Sequence, residues 1–187
     1  EPARDLGHPW GLHGAEQERL WSAGADLAEV RESVGQRFEY QVRMRADAVA
    51  VVGEEGQQSY GCLHQRSNQL AHLLLRRGCQ PESRIAICLP RSLRQMEAVL
   101  AVLKAGGTYV PLDAQWPLQR RQALLAQAAV TWVLTEETVA WGQRPEAITW
   151  LLTQPQWHEV AQQEPENPGV EVEASMAAYV LYTSGST

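Results

Sequence analysis

The sequence predicts an α/β fold, a parallel sheet covered by helices, and three observations predict it. Ile85 to Leu89 reads IAICL, a continuous apolar run closed by Pro90, as expected of a strand buried on both faces. Short apolar runs of this kind alternate with stretches whose apolar residues recur every three or four positions, the strand–helix–strand succession of parallel sheets. Gly78 and Gly106 each follow a helical stretch, where a glycine relieves the left-handed closing turn.

Taken in order, residues 1–30 read as an inter-domain linker, broken by prolines and glycines, with one helical turn at 15–21. Residues 31–187 read as one domain. Its first helix is expected over about 29–45, where Val30, Val34, Phe38 and Val42 form one apolar stripe. Residues 49–52 read as a buried strand, Glu54, Glu55 and Gly56 as a turn, and 57–60 as its paired return strand. Helix 62–77 carries Leu63, Leu70, Leu73 and Leu74. Strand 85–89 follows, then helix 92–105 with Ser92 as N-cap and Leu93, Met96, Val99, Leu100 and Leu103 inward. Residues 108–112 form the next strand, and Pro117 opens a helix to about 128. Residues 130–135, 148–152 and 177–182 are the remaining strands, and the proline- and glutamate-rich stretch 153–175 is assigned no element.

A chain of 187 residues can bury a sizeable core, and 44% apolar with 20% charged residues is ordinary for a globular protein. No apolar run approaches membrane-spanning length and no basic-then-apolar leader opens the chain. The three cysteines, Cys62, Cys79 and Cys88, are odd in number and lack a CxxC pair, so free thiols in a reducing, cytoplasmic setting are expected. The net charge of −6 belongs to the tail. Beyond Arg144 there is no Lys or Arg, whereas Glu146, Glu159, Glu164, Glu166, Glu171 and Glu173 all fall there, which reads as an acidic solvated loop. No basic stripe interleaved with aromatics argues for nucleic acid, and the seven scattered tryptophans suit packing and surface anchoring.

No catalytic constellation or metal set is visible. His64 and His72 lie eight apart on one helix, two turns too distant for one metal without a third ligand between them. Gly106–Gly107 follows a helix and precedes a strand, the reverse of a dinucleotide fingerprint. Lys104, the chain's single lysine, sits in the last turn of its helix, where a cation complements the macrodipole, and reads as structural. What remains is AAYVLYTSGST at 177–187. An apolar strand feeding a Gly/Ser/Thr loop presents backbone N–H groups and hydroxyls as phosphate-binding loops do, although TSGST lacks the lysine and spacing of GxxxxGK[ST].

Three stretches carry a family resemblance. LKAGGTYVPLD at 103–113 resembles the second core motif of adenylation domains of nonribosomal peptide synthetases, within the adenylate-forming enzyme superfamily. AAYVLYTSGST resembles the start of the third, and SYGCLHQRSNQLAHLL at 59–74 resembles the first, including Asn68 to Ala71. Residues 34–52 resemble the opening helix and strand of these domains, and 1–30 the linker after a condensation domain. The resemblance covers nearly the whole chain in the right order. Departures are Cys62 for a commoner acidic residue, Ala46 for a frequent proline and Gln127 for a usual aspartate.

The resemblance implies the incomplete N-terminal part of that fold. It implies activation of an amino acid by ATP with Mg2+, giving aminoacyl-AMP and pyrophosphate, then transfer to a carrier-protein thiol. Thr183, Ser184, Gly185, Ser186 and Thr187 would hold the ATP phosphates. Implied partners are the rest of the adenylation domain, the upstream condensation domain and a downstream carrier protein with its phosphopantetheine arm; nucleic acid and membrane are not implied. The loop lysine, the amino-acid pocket, the adenine contacts and the C-terminal lid would follow Thr187. The chain, which begins without methionine and ends inside a motif, therefore reads as part of something longer and inactive alone. An acyl- or aryl-CoA ligase fragment and a non-catalytic remnant of the same fold are the alternatives.

Overall fold

A computed structural model describes residues 32–152 and 158–182. The first helix, α1 (Val34–Arg45), starts where Ser33 caps it: Gln36 N–H donates to Ser33 Oγ at 3.3 Å, and Ser33 N–H donates to Gln36 Oε1 at 2.7 Å. This reciprocal box satisfies two orphan donors and fixes the boundary later than the apolar stripe alone suggested. Val30 lies outside the described residues. None of α1 is fully buried, and Val34, Tyr40 and Met44 are exposed. Phe38 turns inward, 5.8 Å from the Tyr60 ring and 6.4 Å from the His64 ring.

Strands β1 (Val49–Gly53) and β2 (Gly56–Ser59) form an antiparallel hairpin of their own. The expectation of a buried strand at 49–52 is corrected here, since Val52 is 72% exposed and Val49 is also exposed. A two-stranded ribbon outside the main sheet has one covered face, and that face holds Gln58.

The body is a four-stranded sheet flanked by three helices. Helix α2 (Tyr60–Arg76), strand β3 (Arg84–Cys88), helix α3 (Leu93–Lys104), strand β4 (Thr108–Pro111), helix α4 (Leu118–Gln127), strand β5 (Trp132–Thr135) and strand β6 (Thr149–Leu152) follow in order. The strand order is β4-β3-β5-β6 and every pairing is parallel, with Ile85 opposite both Tyr109 and Trp132, and Trp132 opposite Thr149. Strand alternation then sorts side chains onto two faces. Ile85, Ile87, Trp132, Leu134 and Leu151 meet α2 and α3, while Ala86, Cys88, Val110 and Val133 meet α4 with Trp141. The parallel, helix-covered sheet stands as expected. Ser59 and Ser92 cap α2 and α3, and Gly78 and Gly106 adopt φ of 94° and 74° just past those helices. No helix among the described residues is long and apolar enough to cross a membrane.

A further expectation fails. Residues 177–182 form no strand: Tyr109 and Tyr179 make a single parallel bridge beside β4. The ladder ends there because the next edge-facing residue of β4 is Pro111, which has no N–H to donate; on the other side of the bridge Thr108 Oγ1 donates to the Ala177 carbonyl at 2.9 Å. The acidic stretch keeps its glutamates exposed, as expected, but it also carries fixed structure. It contains a helical turn at 158–161, buries Val160 in the core, and pairs Glu159 with Arg77 at 2.6 Å.

Candidate functional site

The expected phosphate-binding residues, Thr183, Ser184, Gly185, Ser186 and Thr187, lie outside the described residues. The segment leading to them is described. Tyr109 N–H donates to the Ala178 carbonyl at 3.1 Å and Val180 N–H donates to the Tyr109 carbonyl at 3.0 Å. Residues 177–182 thus run parallel to β4 along the sheet edge, and Val180 and Tyr182 pack on the α4-side core. Parallel α/β sheets place ligands beyond the carboxyl ends of their strands, and the segment heads there.

At that end β4 passes into Leu112 and Asp113, whose Oδ1 accepts from Gln115 N–H at 2.8 Å and turns the chain toward α4. Arg121, 4% exposed, ties the neighbouring loops together. Its Nε donates to the Trp116 carbonyl at 3.1 Å, its Nη2 to the Ala140 carbonyl at 2.7 Å, and its guanidinium lies 4.6 Å from the Trp141 ring centroid. Trp141 Nε1 donates to Thr135 Oγ1 at 3.0 Å, and Thr135 Oγ1 donates to the Cys88 carbonyl at 3.2 Å. Burial pushes the Cys88 thiol up, with Arg121 opposing it. All three cysteines are free. This end of the sheet is a packed, hydrogen-bonded platform with no nucleophile–base pair among the described residues.

The second cluster lies where α1, α2 and α3 meet. Lys104, in the last turn of α3, is 5% exposed. Its Nζ donates to Asn68 Oδ1 at 2.5 Å and the His64 carbonyl at 3.3 Å, approaches His64 Nδ1 at 3.1 Å, and stands 5.3 Å from the Phe38 ring centroid. Loss of hydration lowers its pKa to about 8, with Glu39 opposing the shift. Burial and then the Lys104 charge lower His64 to about 4, so the imidazole is neutral at pH 7 and its Nδ1 accepts. His72 is elsewhere, against the Glu166 carbonyl at 3.1 Å. Among the described residues no group of three His, Cys, Asp or Glu can hold a metal.

Glu97 is fully buried on the same helix as Lys104. Its Oε1 accepts from Gln58 Nε2 at 2.5 Å and from Arg66 Nη1 at 3.4 Å, and its Oε2 finds no partner among the described residues. It fastens the hairpin to α2 and α3.

Sequence reasoning passed over Asn68. Its Oδ1 receives Lys104 while its Nδ2 donates to the Pro165 carbonyl at 2.6 Å. The signal was a single asparagine on the leucine-bearing face of an amphipathic helix, a position that burial forbids to an amide without partners.

Comparison with known proteins gives consistent matches. The family model described as AMP-binding enzyme matches residues 38–187. Surfactin synthase subunit 1 of Bacillus subtilis is 36% identical over 179 residues, covering 94% of this chain and 5% of its own length. Tyrocidine synthase 1 of Brevibacillus parabrevis is likewise 36% identical, over 162 residues, covering 83% of this chain and 14% of that protein. The crystal structure of a nonribosomal peptide synthetase, FmoA3, in its alpha-methyl-L-serine-AMP bound form superposes with a TM-score of 0.76 at 27% identity, covering 89% of this chain and 19% of that one. The chain therefore spans 5% and 14% of the length of these two synthases and 19% of the FmoA3 chain.

Proposed function

The chain belongs to the AMP-binding enzyme family, and on that premise we propose that it is the N-terminal portion of an amino-acid-activating adenylation domain in nonribosomal peptide biosynthesis. The observation that carries the reading is the run of 177–182 alongside β4, toward the carboxyl end of a parallel sheet, immediately before TSGST in the sequence. The 33% identity to a dimodular nonribosomal peptide synthase of Bacillus subtilis, and the likeness to FmoA3 with alpha-methyl-L-serine-AMP bound, support amino acids over other acyl substrates. Residues 1–30 are the preceding linker, and 31–187 the domain's beginning. The remaining partners are the rest of the domain, the upstream condensation domain and the downstream carrier protein.

In the reaction, a carboxylate oxygen of the amino acid attacks the α-phosphorus of ATP, the new acyl–phosphate bond forms, and pyrophosphate leaves. The carrier's phosphopantetheine thiol then attacks the acyl carbon and AMP departs. Backbone amides and hydroxyls of Thr183, Ser184, Gly185, Ser186 and Thr187 donate to the β- and γ-phosphate oxygens, so their task is positioning and charge stabilisation. Lys104 is committed to Asn68 and is not the phosphate cation. Mg2+ enters with the nucleotide, whose phosphate oxygens are its ordinary ligands. A fragment ending at Thr187 would not catalyse the reaction alone. Free Cys62, Cys79 and Cys88 support a reducing, cytoplasmic setting.

The test is ATP–pyrophosphate exchange by the complete polypeptide that carries this chain. Exchange dependent on one amino acid, with Ser184→Ala raising the KM for ATP about tenfold, is expected. No exchange with any amino acid, together with thioester formation from fatty or aryl acids, would identify a CoA ligase; no reaction with either would identify a non-catalytic remnant.

A further inference from the structure

The stretch 158–182 crosses α2 and the α3–β4 turn before it reaches the sheet edge, and its attachments fall on two of the sequence motifs. From α2, Gln69 Nε2 donates to the carbonyls of Ala161 and Gln163, both at 3.2 Å, and Asn68 and His72 engage those of Pro165 and Glu166. From the α3–β4 turn, Lys104 grips Asn68. A Cβ on Gly106 would come within 3.3 Å of Val170 Cγ1. Thr108 and Tyr109 then bind Ala177, Ala178 and Val180. Side-chain donors on α2 thus take up strap carbonyls that no helix or sheet satisfies, and the motif LKAGGTY holds the same strap farther along.

We infer that Lys104 and Asn68 are positioning residues: they clamp the strap 158–182 and thereby set the path of the chain up to Tyr182, the residue before the candidate phosphate loop. Asn68 is the joint of the clamp, because its oxygen faces Lys104 and its amide nitrogen faces the strap. Lys104 fixes which way that amide points, since an ammonium accepts no hydrogen bond and must face the oxygen. The nitrogen is left to the Pro165 carbonyl. From there the strap is tied by Val170 and by the Ala177–Val180 bonds to Tyr182, and Thr183 is the next residue of the chain. The second motif therefore acts on ATP through the strap and touches no substrate. Only the kinetic readout of this inference rests on the adenylation reading.

Asn68→Asp separates the two contacts. It keeps an oxygen for Lys104 and replaces the strap's donor with a second oxygen facing the Pro165 carbonyl. Lys104→Met removes the cation and keeps the apolar stem. Gln58→Ala, on the β1–β2 hairpin and bonded to Glu97 rather than to the strap, serves as the control for general destabilisation. In the complete polypeptide, Asn68→Asp and Lys104→Met are expected to raise the KM for ATP about tenfold, leaving kcat and the KM for the amino acid within about twofold. Amide exchange at Val180 and Tyr109 is expected to accelerate at least about tenfold in both variants and to stay at the wild-type rate in Gln58→Ala. If the clamp variants match Gln58→Ala in the exchange of Val180 and Tyr109, the clamp is refuted, whatever reaction the protein performs. If exchange accelerates but the KM for ATP does not move, the link to the phosphate loop is refuted. A wild-type protein inactive with every amino acid would instead overturn the adenylation reading, with amide exchange still deciding the clamp.

Discussion

Lys104 Nζ lies 2.5 Å from Asn68 Oδ1, so the chain's single lysine is spent on an amide inside the α2–α3 interface. An ammonium at that depth gives up its hydration and regains it from Asn68, the His64 carbonyl and His64 Nδ1, with the Phe38 ring closing one side.

This arrangement gives stability a defined pH dependence. Lys104 is lowered from 10.5 to about 8, so between those values the unfolded chain holds a proton that the folded one has released, and stability rises with pH across that window. His64, lowered from 6.5 to about 4, adds a second rise over 4–6.5 by the same reasoning. Glu39 on α1 is the acid that opposes the lysine shift. Thermal melts of the complete domain should show both rises. Lys104→Met should abolish the alkaline one and reduce the acidic one, because the Lys104 charge also depresses His64. An unchanged alkaline rise would contradict the assignment.

Thr135 both accepts from Trp141 and donates to the Cys88 carbonyl, so the three residues form one buried chain of hydrogen bonds. Trp141→Phe and Thr135→Val should each cost about 1–3 kcal/mol, because each leaves a buried group unpaired. The double variant should cost less than the two singles together by about 1 kcal/mol. Urea unfolding of the four proteins checks it, and strict additivity would show that the bond contributes nothing.

Gly78 and Gly106 both close helices with positive φ, 94° and 74°, but a Cβ built on Gly78 would meet no atom within 4 Å, whereas one on Gly106 would stand 3.3 Å from Val170 Cγ1. Gly78→Ala should cost about 1 kcal/mol from backbone strain alone. Gly106→Ala should cost roughly 1 kcal/mol more and loosen the strap, seen as faster cleavage within 158–182 under limited proteolysis. Equal costs and equal cleavage would show that Val170 moves aside freely.

The elements of the sheet were legible because each obeys a local rule. IAICL is apolar throughout because β3 is covered on both faces, and Ser92 and Gly106 bracket α3 by capping chemistry. Val49–Gly53 was misjudged because an apolar run does not reveal whether a second layer exists to cover it. The strap escaped because its stretch has no apolar period; Val160 enters the core, and much of the rest docks through carbonyls that every residue type carries.

By itself the sequence determined the parallel, helix-covered sheet, the caps of α3, the family resemblance and the candidate loop Thr183 to Thr187, all of which follow from periodicity, capping residues or contiguous motifs. Tertiary structure alone decided what joins the motifs. Asn68 and Lys104 are 36 positions apart, and Asn68 and Pro165 are 97 apart. Such contacts come from the crossing of α2 and α3 and the return of the chain over them. Local patterns fix elements through neighbours three or four residues away, whereas a buried ammonium finds its acceptors only after packing has excluded water.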